Sequence, residues 1–123
     1  MDNIDWGWLL FQFDGRINRA KFWLVWVVLY AFFAILWSVA FRTESSALVS
    51  LAGLLGIASI WPYLAVGVKR YHDHDKSGWW LLVGLIPFIG FFWLLIELGF
   101  LAGTDGPNQY GPDPLAAPAI PEV

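Results

Sequence analysis

The side chains best able to do chemistry crowd into one short polar segment, residues 69–76. It contains Lys69, Arg70, His72 and Asp73, and a second His-Asp pair follows directly. Imidazole and carboxylate groups are ligands for zinc and similar ions. Four adjacent ligands on one short loop rarely close a tetrahedron, and the whole chain has 2 histidines and no cysteine. We therefore predict no metal ion and no cofactor, and we treat the four named residues as candidates for binding a lipid or a protein partner.

A second group of candidates flanks this segment on both sides in the chain. Arg16 and Arg19 are three residues apart, so they share one face if this part is helical. Two cations at that spacing could grip one phosphate group, or they could serve only to orient the chain in a membrane. Trp79 follows the polar segment, and Asn108 lies in a turn-rich stretch, residues 103–114. We include both as further lipid- or partner-binding candidates.

Glu97 is the only residue with a formal charge at neutral pH within an otherwise apolar run. Charged groups inside the hydrocarbon region of a membrane are costly, and they often mark functional positions. Glu97 could handle protons or ions in an oligomeric transporter or channel. The structural alternative is an ion pair with Arg42, because both residues are predicted to lie towards the outer surface of the membrane.

Three long apolar runs position these side chains, at residues 22–41, 47–68 and 78–103. A helix needs about 20 apolar residues to cross a hydrocarbon core of about 30 Å. We predict an all-α membrane protein, a bundle of three transmembrane helices in which the third is kinked at Pro87. The aromatic stretch at residues 6–13 is typical of an N-terminal interfacial segment. A break near Pro87, followed by re-entry of the third run, stays open as an alternative.

The composition and the charge distribution support this placement. Of the 123 residues, 59% are hydrophobic and 14% are charged, against about 25% charged in soluble domains. This excludes a disordered chain, and the net charge of −3 excludes a basic nucleic-acid-binding domain. Lys and Arg favour the cytoplasmic side, and Arg42 alone falls on the other side. We predict one polytopic domain at 1–114 with a cytoplasmic N-terminus and an outer C-terminus, and a disordered tail at 115–123.

Several short motifs, taken in order, carry a resemblance to one known family. They are Phe13-x-Gly15-Arg16-x-x-Arg19-x-x-Phe22-Trp23, Lys69-Arg70-x-His72-Asp73, Ser77-Gly78-Trp79-Trp80, Pro87-x-x-Gly90 and Gly106-x-Asn108-x-Tyr110-Gly111-x-Asp113-Pro114. The chain resembles the bacterial domain-of-unknown-function family 805, the small YhaH-like inner-membrane proteins. It departs from the family pattern at Lys69, where an arginine is usual. The resemblance implies a multi-pass protein of the bacterial inner membrane, and it implies no activity.

These observations favour a non-enzymatic accessory or scaffold protein. One alternative is an anionic-lipid-binding or lipid-modifying protein that uses the cytoplasmic Arg and Lys residues. Another is a subunit of an oligomeric transporter or channel. The expected partners are the lipid bilayer, an anionic phospholipid, a second copy of the chain or another membrane protein, and not a nucleic acid.

Overall fold

The computed structural model describes residues 4–115, and it is built from helices. No strand forms within that range, so the predicted all-α class is confirmed. Residues 116–123, which make up nearly all of the predicted disordered tail, lie outside the described residues. The elements are α1 (Trp6–Phe11), α2 (Arg19–Arg42), α3 (Ser46–Ala58), α4 (Ile60–Asp73), a 3-10 helix (Gly78–Leu85), α5 (Ile89–Leu94) and a π-helical turn (Leu95–Phe100).

Two of the apolar runs form helices long enough to cross a membrane. One is α2, with 24 residues, and the other is the nearly continuous helix Ser46–Asp73, with 28 residues. At 1.5 Å per residue they reach about 36 and 42 Å, which exceeds the hydrocarbon core of about 30 Å. In the most apolar 18-residue stretch of each helix, only 11% and 28% of the residues are buried inside the protein. Their apolar side chains therefore face outwards, as expected for helices that lie in lipid.

The ends of these helices follow from local capping. The side chain of Asn18 accepts a hydrogen bond from the backbone N–H of Lys21 at 2.9 Å, so α2 begins at Arg19. Ser45 caps α3 in the same way. The junction between α3 and α4 lies at Ser59, three residues before Pro62. Because a proline has no N–H to donate back along the helix, the regular ladder is interrupted there.

The third apolar run does not form one helix, so the prediction of a continuous third helix kinked at Pro87 is wrong. The 3-10 helix ends at Leu85, and Phe88, with a φ of 64°, turns the chain back. At Gly90 an added Cβ would meet the backbone of Gly84 at 2.8 Å, so the two limbs pack closely. We call residues 78–100 the hairpin, with the 3-10 helix as its first limb and Ile89–Phe100 as its return limb.

The packed core lies at one end of the two long helices. There the N-terminal segment, α2, α4 and the return limb meet, and the buried residues are Leu9, Ile17, Phe22, Val25, Val66, Tyr71 and Leu98. At the other end α2 packs mainly on α3, where Ala40 and Ala52 are buried. The candidate side chains all belong to the end that holds the packed core, with the exception of Arg42.

Candidate functional site

Two arginines and one aspartate form a buried ion cluster at the end of α4. Asp73 is the last residue of α4, Arg70 lies one turn earlier, and Arg16 comes from the loop before α2. Arg16 Nη2 lies 3.0 Å from Asp73 Oδ1, and Arg70 Nη1 lies 2.7 Å from Asp73 Oδ2. The three side chains are between 0 and 5% exposed. We call these residues the arginine cluster.

The remaining donors of Arg16 bind the segment that follows the hairpin. We call this segment, residues 101–115, the C-terminal tail. Nη1 donates to the carbonyls of Gly106 at 2.8 Å and Gly111 at 3.1 Å. Nη2 donates to the carbonyl of Thr104 at 2.7 Å. Gly106 and Gly111 both have a positive φ, 74° and 135°, which glycine adopts without steric cost and which turns their carbonyls inwards. One side chain therefore joins the N-terminal loop to residues 104–111.

Arg70 joins α4 to the end of the return limb. Its Nε donates to the carbonyl of Leu98 at 2.6 Å, and its Nη2 donates to that of Leu101 at 2.9 Å. Its Nη1 also reaches the carbonyl of Ile17 at 3.2 Å. The π-helical turn leaves carbonyls such as that of Leu98 without a regular helical partner, and the guanidinium provides one.

The tail leaves the hairpin directly beside Asp73. Gly103 lies so close that a Cβ at this position would collide with the Asp73 carboxylate. The backbone N–H of Thr104 donates to the carbonyl of Asp73 at 2.7 Å. The hairpin begins at Gly78, five residues after Asp73, and its far end returns to the same aspartate. The tail therefore lies at the same end of the protein as the N-terminal loop.

Lys69 is also buried and bound within the protein. Its side chain is fully enclosed, and Nζ donates to the carbonyl of Trp8 at 2.6 Å and to that of Gln12. Both carbonyls belong to the C-terminal end of α1, where a cation is favoured. Arg16, Lys69 and Arg70 were all predicted to bind a lipid or a partner at the surface. Their charged groups are enclosed and donate to acceptors within the protein.

His72 and Asn108 were predicted as separate candidates, and the structure brings them together. His72 Nδ1 lies 3.0 Å from the carbonyl of Gly15, so this nitrogen carries the proton, and Asn108 donates to the carbonyl of His72 at 2.9 Å. The His72 ring stacks on Tyr110 with centroids 3.9 Å apart. Both rings line a cavity of about 670 Å³ that includes Trp79, which is 78% exposed.

Glu97 has a different partner from the one predicted. Its carboxylate accepts hydrogen bonds from Lys76 Nζ and, at 3.1 Å, from the Tyr71 hydroxyl. Arg42 lies exposed at the far end of α2, so the predicted Glu97–Arg42 pair is wrong. The error follows from the hairpin, because the return limb carries Glu97 back to the polar segment. Tyr71 and Lys76 were missed, although the alternative of a break at Pro87 would have pointed to them.

Among the cations predicted to bind a lipid or a partner, Arg19 stays exposed. One of its nitrogens donates to the carbonyl of Phe100 at 2.7 Å. One turn further along α2, Trp23 Nε1 donates to the carbonyl of Gly99 at 2.8 Å. These two contacts attach the end of the return limb to the start of α2.

Two titratable groups outside the long helices have pKa values that their surroundings lower. Arg70 Nη2 lies 3.2 Å from His74 Nε2, and only the histidine nitrogen can accept in this pair. Burial, and then the positive charge of Arg70, lower the pKa of His74 below its usual value. The backbone N–H groups of Leu115 and Gly106 lower the pKa of Asp113 by hydrogen bonding to its carboxylate.

Within residues 4–115, no three His, Cys, Asp or Glu side chains converge as ligands for one metal ion.

Sequence comparison connects this architecture to known proteins. A family model described as "protein of unknown function (DUF805)" matches residues 10–112. The chain belongs to the DUF805 family. Its match to the "Inner membrane protein YhaH" of Escherichia coli is 36% identical over 109 residues, covering 86% of this chain and 89% of that protein. The "Inner membrane protein YhaI" of the same organism is 36% identical over 103 residues, covering 83% and 85%.

A further relative is the "Uncharacterized protein YiiR" of Escherichia coli, 33% identical over 129 residues and covering 85% of this chain and 86% of that protein. No solved structure matches the chain. The predicted family and the predicted small membrane protein are confirmed by the family match, the inner-membrane relatives and the two apolar helices. The arginine cluster lies within the matched residues, and it unites motifs that are up to 95 residues apart in the chain.

Proposed function

We propose that this DUF805 protein is a non-enzymatic accessory or scaffold protein of the inner membrane. The observation that carries the proposal is that the arginine cluster binds the N-terminal loop, α4, the return limb and the tail into one body. Its guanidinium groups donate to one carboxylate and to backbone carbonyls. Such an arrangement fixes the relative positions of chain segments, whereas an active site must keep a reactive group and space for a substrate.

The structural role fits the energetics of buried charge. Taking three ionised groups out of water is costly unless each is paired and hydrogen-bonded. Arg16 and Arg70 share the two oxygens of Asp73, and among the described residues no buried side-chain nitrogen or oxygen lacks a hydrogen-bond partner. The cost of burial is thus offset by specific bonds, and removing Asp73 would leave both guanidinium groups without their counter-charge.

The proposed membrane architecture has two spans and one re-entrant hairpin. The first limb of the hairpin has 8 residues, which reach about 16 Å at 2.0 Å per residue. The return limb, Ile89–Phe100, reaches about 18 Å at 1.5 Å per residue. Each limb covers about half of a 30 Å hydrocarbon core. The tip is apolar and projects freely, with Leu85 78% and Phe88 84% exposed, which suits insertion into lipid.

In this architecture both described ends of the chain face the cytoplasm. The cations at residues 16, 19, 21, 69, 70 and 76 belong to the end that carries the arginine cluster, and Arg42 belongs to the other end. An excess of Lys and Arg marks the cytoplasmic side of a membrane protein. The proposal keeps the predicted cytoplasmic N-terminus, and it moves the C-terminal tail from the outer side to the cytoplasmic side.

The scaffold role is tested by site-specific photocrosslinking in intact cells. A photoreactive amino acid is placed at exposed apolar positions around the spans, such as Tyr30, Ile35, Leu54 and Ile57, which are 66 to 71% exposed. A scaffold is expected to give a discrete protein adduct from one face of the spans and lipid adducts from the others. Buried Leu98 is the matched control and should give neither. Lipid adducts alone at every position, together with a monodisperse homomer after purification, would contradict the proposal.

A further inference from the structure

Burial within the protein reduces the number of cations that can meet a lipid headgroup. Of the six cations at the cytoplasmic end, Arg16, Lys69 and Arg70 are enclosed. Lys76 is ion-paired with Glu97. Lys21 is half-buried and Arg19 is exposed. Any attraction to an anionic headgroup must therefore rest mainly on Arg19, and the surroundings of this residue decide what it can bind.

An apolar groove of about 510 Å³ lies between α2, α4 and the two limbs of the hairpin. On α2 it is lined by Trp23 and Trp26, and on α4 by Tyr63. Leu94 and Leu95 of the return limb line its opposite side. The volume falls in the range of small-molecule sites, about 300 to 1,000 Å³. Since its walls are apolar and belong to membrane-facing elements, the groove suits a hydrocarbon chain.

Arg19 lies beside the end of this groove that is nearest the start of α2. It lies one turn before Trp23, and its guanidinium donates to the carbonyl of Phe100, at the end of the return limb. Trp23 also packs on Phe100, with ring centroids 5.7 Å apart. The start of α2 and the end of the return limb are therefore in contact next to Arg19. From Arg19 the wall on α2 extends to Trp26, about 10 Å deeper at 1.5 Å per residue.

We propose that the groove binds one anionic phospholipid of the cytoplasmic leaflet. Arg19 holds the phosphate by charge-assisted hydrogen bonds, and one acyl chain lies between Trp23, Trp26 and Leu95. The observation that favours a lipid over a protein partner is the juxtaposition of an exposed cation with an apolar groove at headgroup depth. An anionic lipid has a phosphate for the cation and a narrow acyl chain for the groove in one molecule. A transmembrane helix of a partner protein has no phosphate, and with its side chains it is about 10 Å across.

Native mass spectrometry of the full-length protein tests the headgroup contact. The protein is delipidated in mild detergent and titrated with dioleoyl phosphatidylglycerol or dioleoyl phosphatidylcholine. We expect Arg19→Gln to weaken phosphatidylglycerol binding about tenfold, which corresponds to about 1.4 kcal/mol. Arg42→Gln makes the same change of charge at the other end of α2 and should leave binding unchanged. Equal effects of the two variants would overturn the proposed role of Arg19.

A second pair of variants tests the groove. Leu95→Trp fills it and is expected to reduce the binding of both lipids, whereas Ile96→Trp, on the next residue and outside the groove, should reduce neither. A Leu95→Trp protein that retains phosphatidylglycerol as the wild type does, or that loses a dimer and not a lipid, would overturn the proposal.

A photoreactive lipid provides a readout on the unmodified chain. Phosphatidylglycerol with a diazirine in its acyl chain is expected to label the segments around Trp23 and Leu95, and an excess of the unmodified lipid should compete. Labelling spread evenly over α2 would overturn the site. The lipid site rests on the proposed membrane placement of the hairpin, but its failure would leave that topology standing, since cysteine labelling tests the topology without any lipid.

Discussion

Replacing Asp73 by asparagine is expected to destabilise the protein strongly. The substitution keeps the size of the side chain and removes the one negative charge that faces both Arg16 and Arg70. The two ion pairs, at 3.0 and 2.7 Å, are lost while both guanidinium groups stay enclosed. Because an asparagine amide nitrogen can only donate, one of its two terminal atoms would also face a donor.

The expected magnitude follows from the burial of the three groups. Breaking a buried ion pair by removing one partner costs about 3 to 5 kcal/mol. In this cluster the guanidiniums keep their bonds to the carbonyls of Thr104, Gly106 and Leu98, which points to the lower end of that range. A loss of about 3 kcal/mol is a large part of the 5 to 15 kcal/mol that stabilises a typical folded domain.

The assay is reversible unfolding in mixed micelles, with tryptophan fluorescence as the signal. Asp75→Asn is the matched control, because Asp75 is exposed and has a positive φ of 60° that asparagine also accepts. It should change the free energy of unfolding by no more than about 0.5 kcal/mol. If the free energy of unfolding of Asp73→Asn lies within about 1 kcal/mol of the wild-type value, the structural role of the cluster is refuted. A gain in stability would instead indicate a functional site, where natural residues are often destabilising.

Three further predictions concern neighbours of the cluster. Gly103→Ala should destabilise by about 1 to 3 kcal/mol, because its Cβ would collide with the Asp73 carboxylate; unfolding in micelles measures this, and an unchanged midpoint would contradict it. The pKa of His74 is lowered in the folded protein, so its contribution to the free energy of unfolding should be complete above the unfolded pKa of about 6.5 and decline as the pH falls below that value. His74→Gln should flatten this pH dependence of unfolding. Lys76→Met should destabilise more than Glu97→Gln, because it leaves a buried carboxylate without its cation, and the opposite order in unfolding experiments would show that Glu97 is uncharged.

The two long helices could be predicted because each requires only local information. A run of about 20 uncharged apolar residues is sufficient to indicate a membrane-capable helix. The predicted ranges 22–41 and 47–68 fall within α2 and within the helix Ser46–Asp73. The capping residues extend both helices beyond the apolar runs, which hydropathy alone does not detect.

The hairpin could not be distinguished from a span by hydropathy. Both structures place apolar side chains in lipid, and residues 78–103 are long enough for either. What decides between them is the tight turn at Phe88 and the close packing of Gly90 on Gly84, which bring the limbs together. The wrong partner for Glu97 followed directly, since a straight helix would have carried it to the far side of the membrane.

The arginine cluster shows the same limit at the candidate site. The sequence placed Arg16, Arg70 and Asp73 on one side of the membrane, and their charges suggested a surface for a partner. Their burial depends on the tail, which packs over them and whose Thr104 and Gly106 carbonyls accept hydrogen bonds from Arg16. No local pattern reports a contact between residues that are 90 positions apart, so the motifs were found and their structural role was not.

In the proposed topology the chain crosses the membrane twice, and the hairpin returns the tail to the cytoplasmic side. Because the chain has no cysteine, single substitutions at exposed positions can be labelled from either side of the membrane with an impermeant maleimide. We expect Asp14→Cys and Asp105→Cys to be labelled only from the cytoplasmic side, and Ser46→Cys only from the outer side. Labelling of Asp105→Cys from the same side as Ser46→Cys would contradict the hairpin and restore a third transmembrane span.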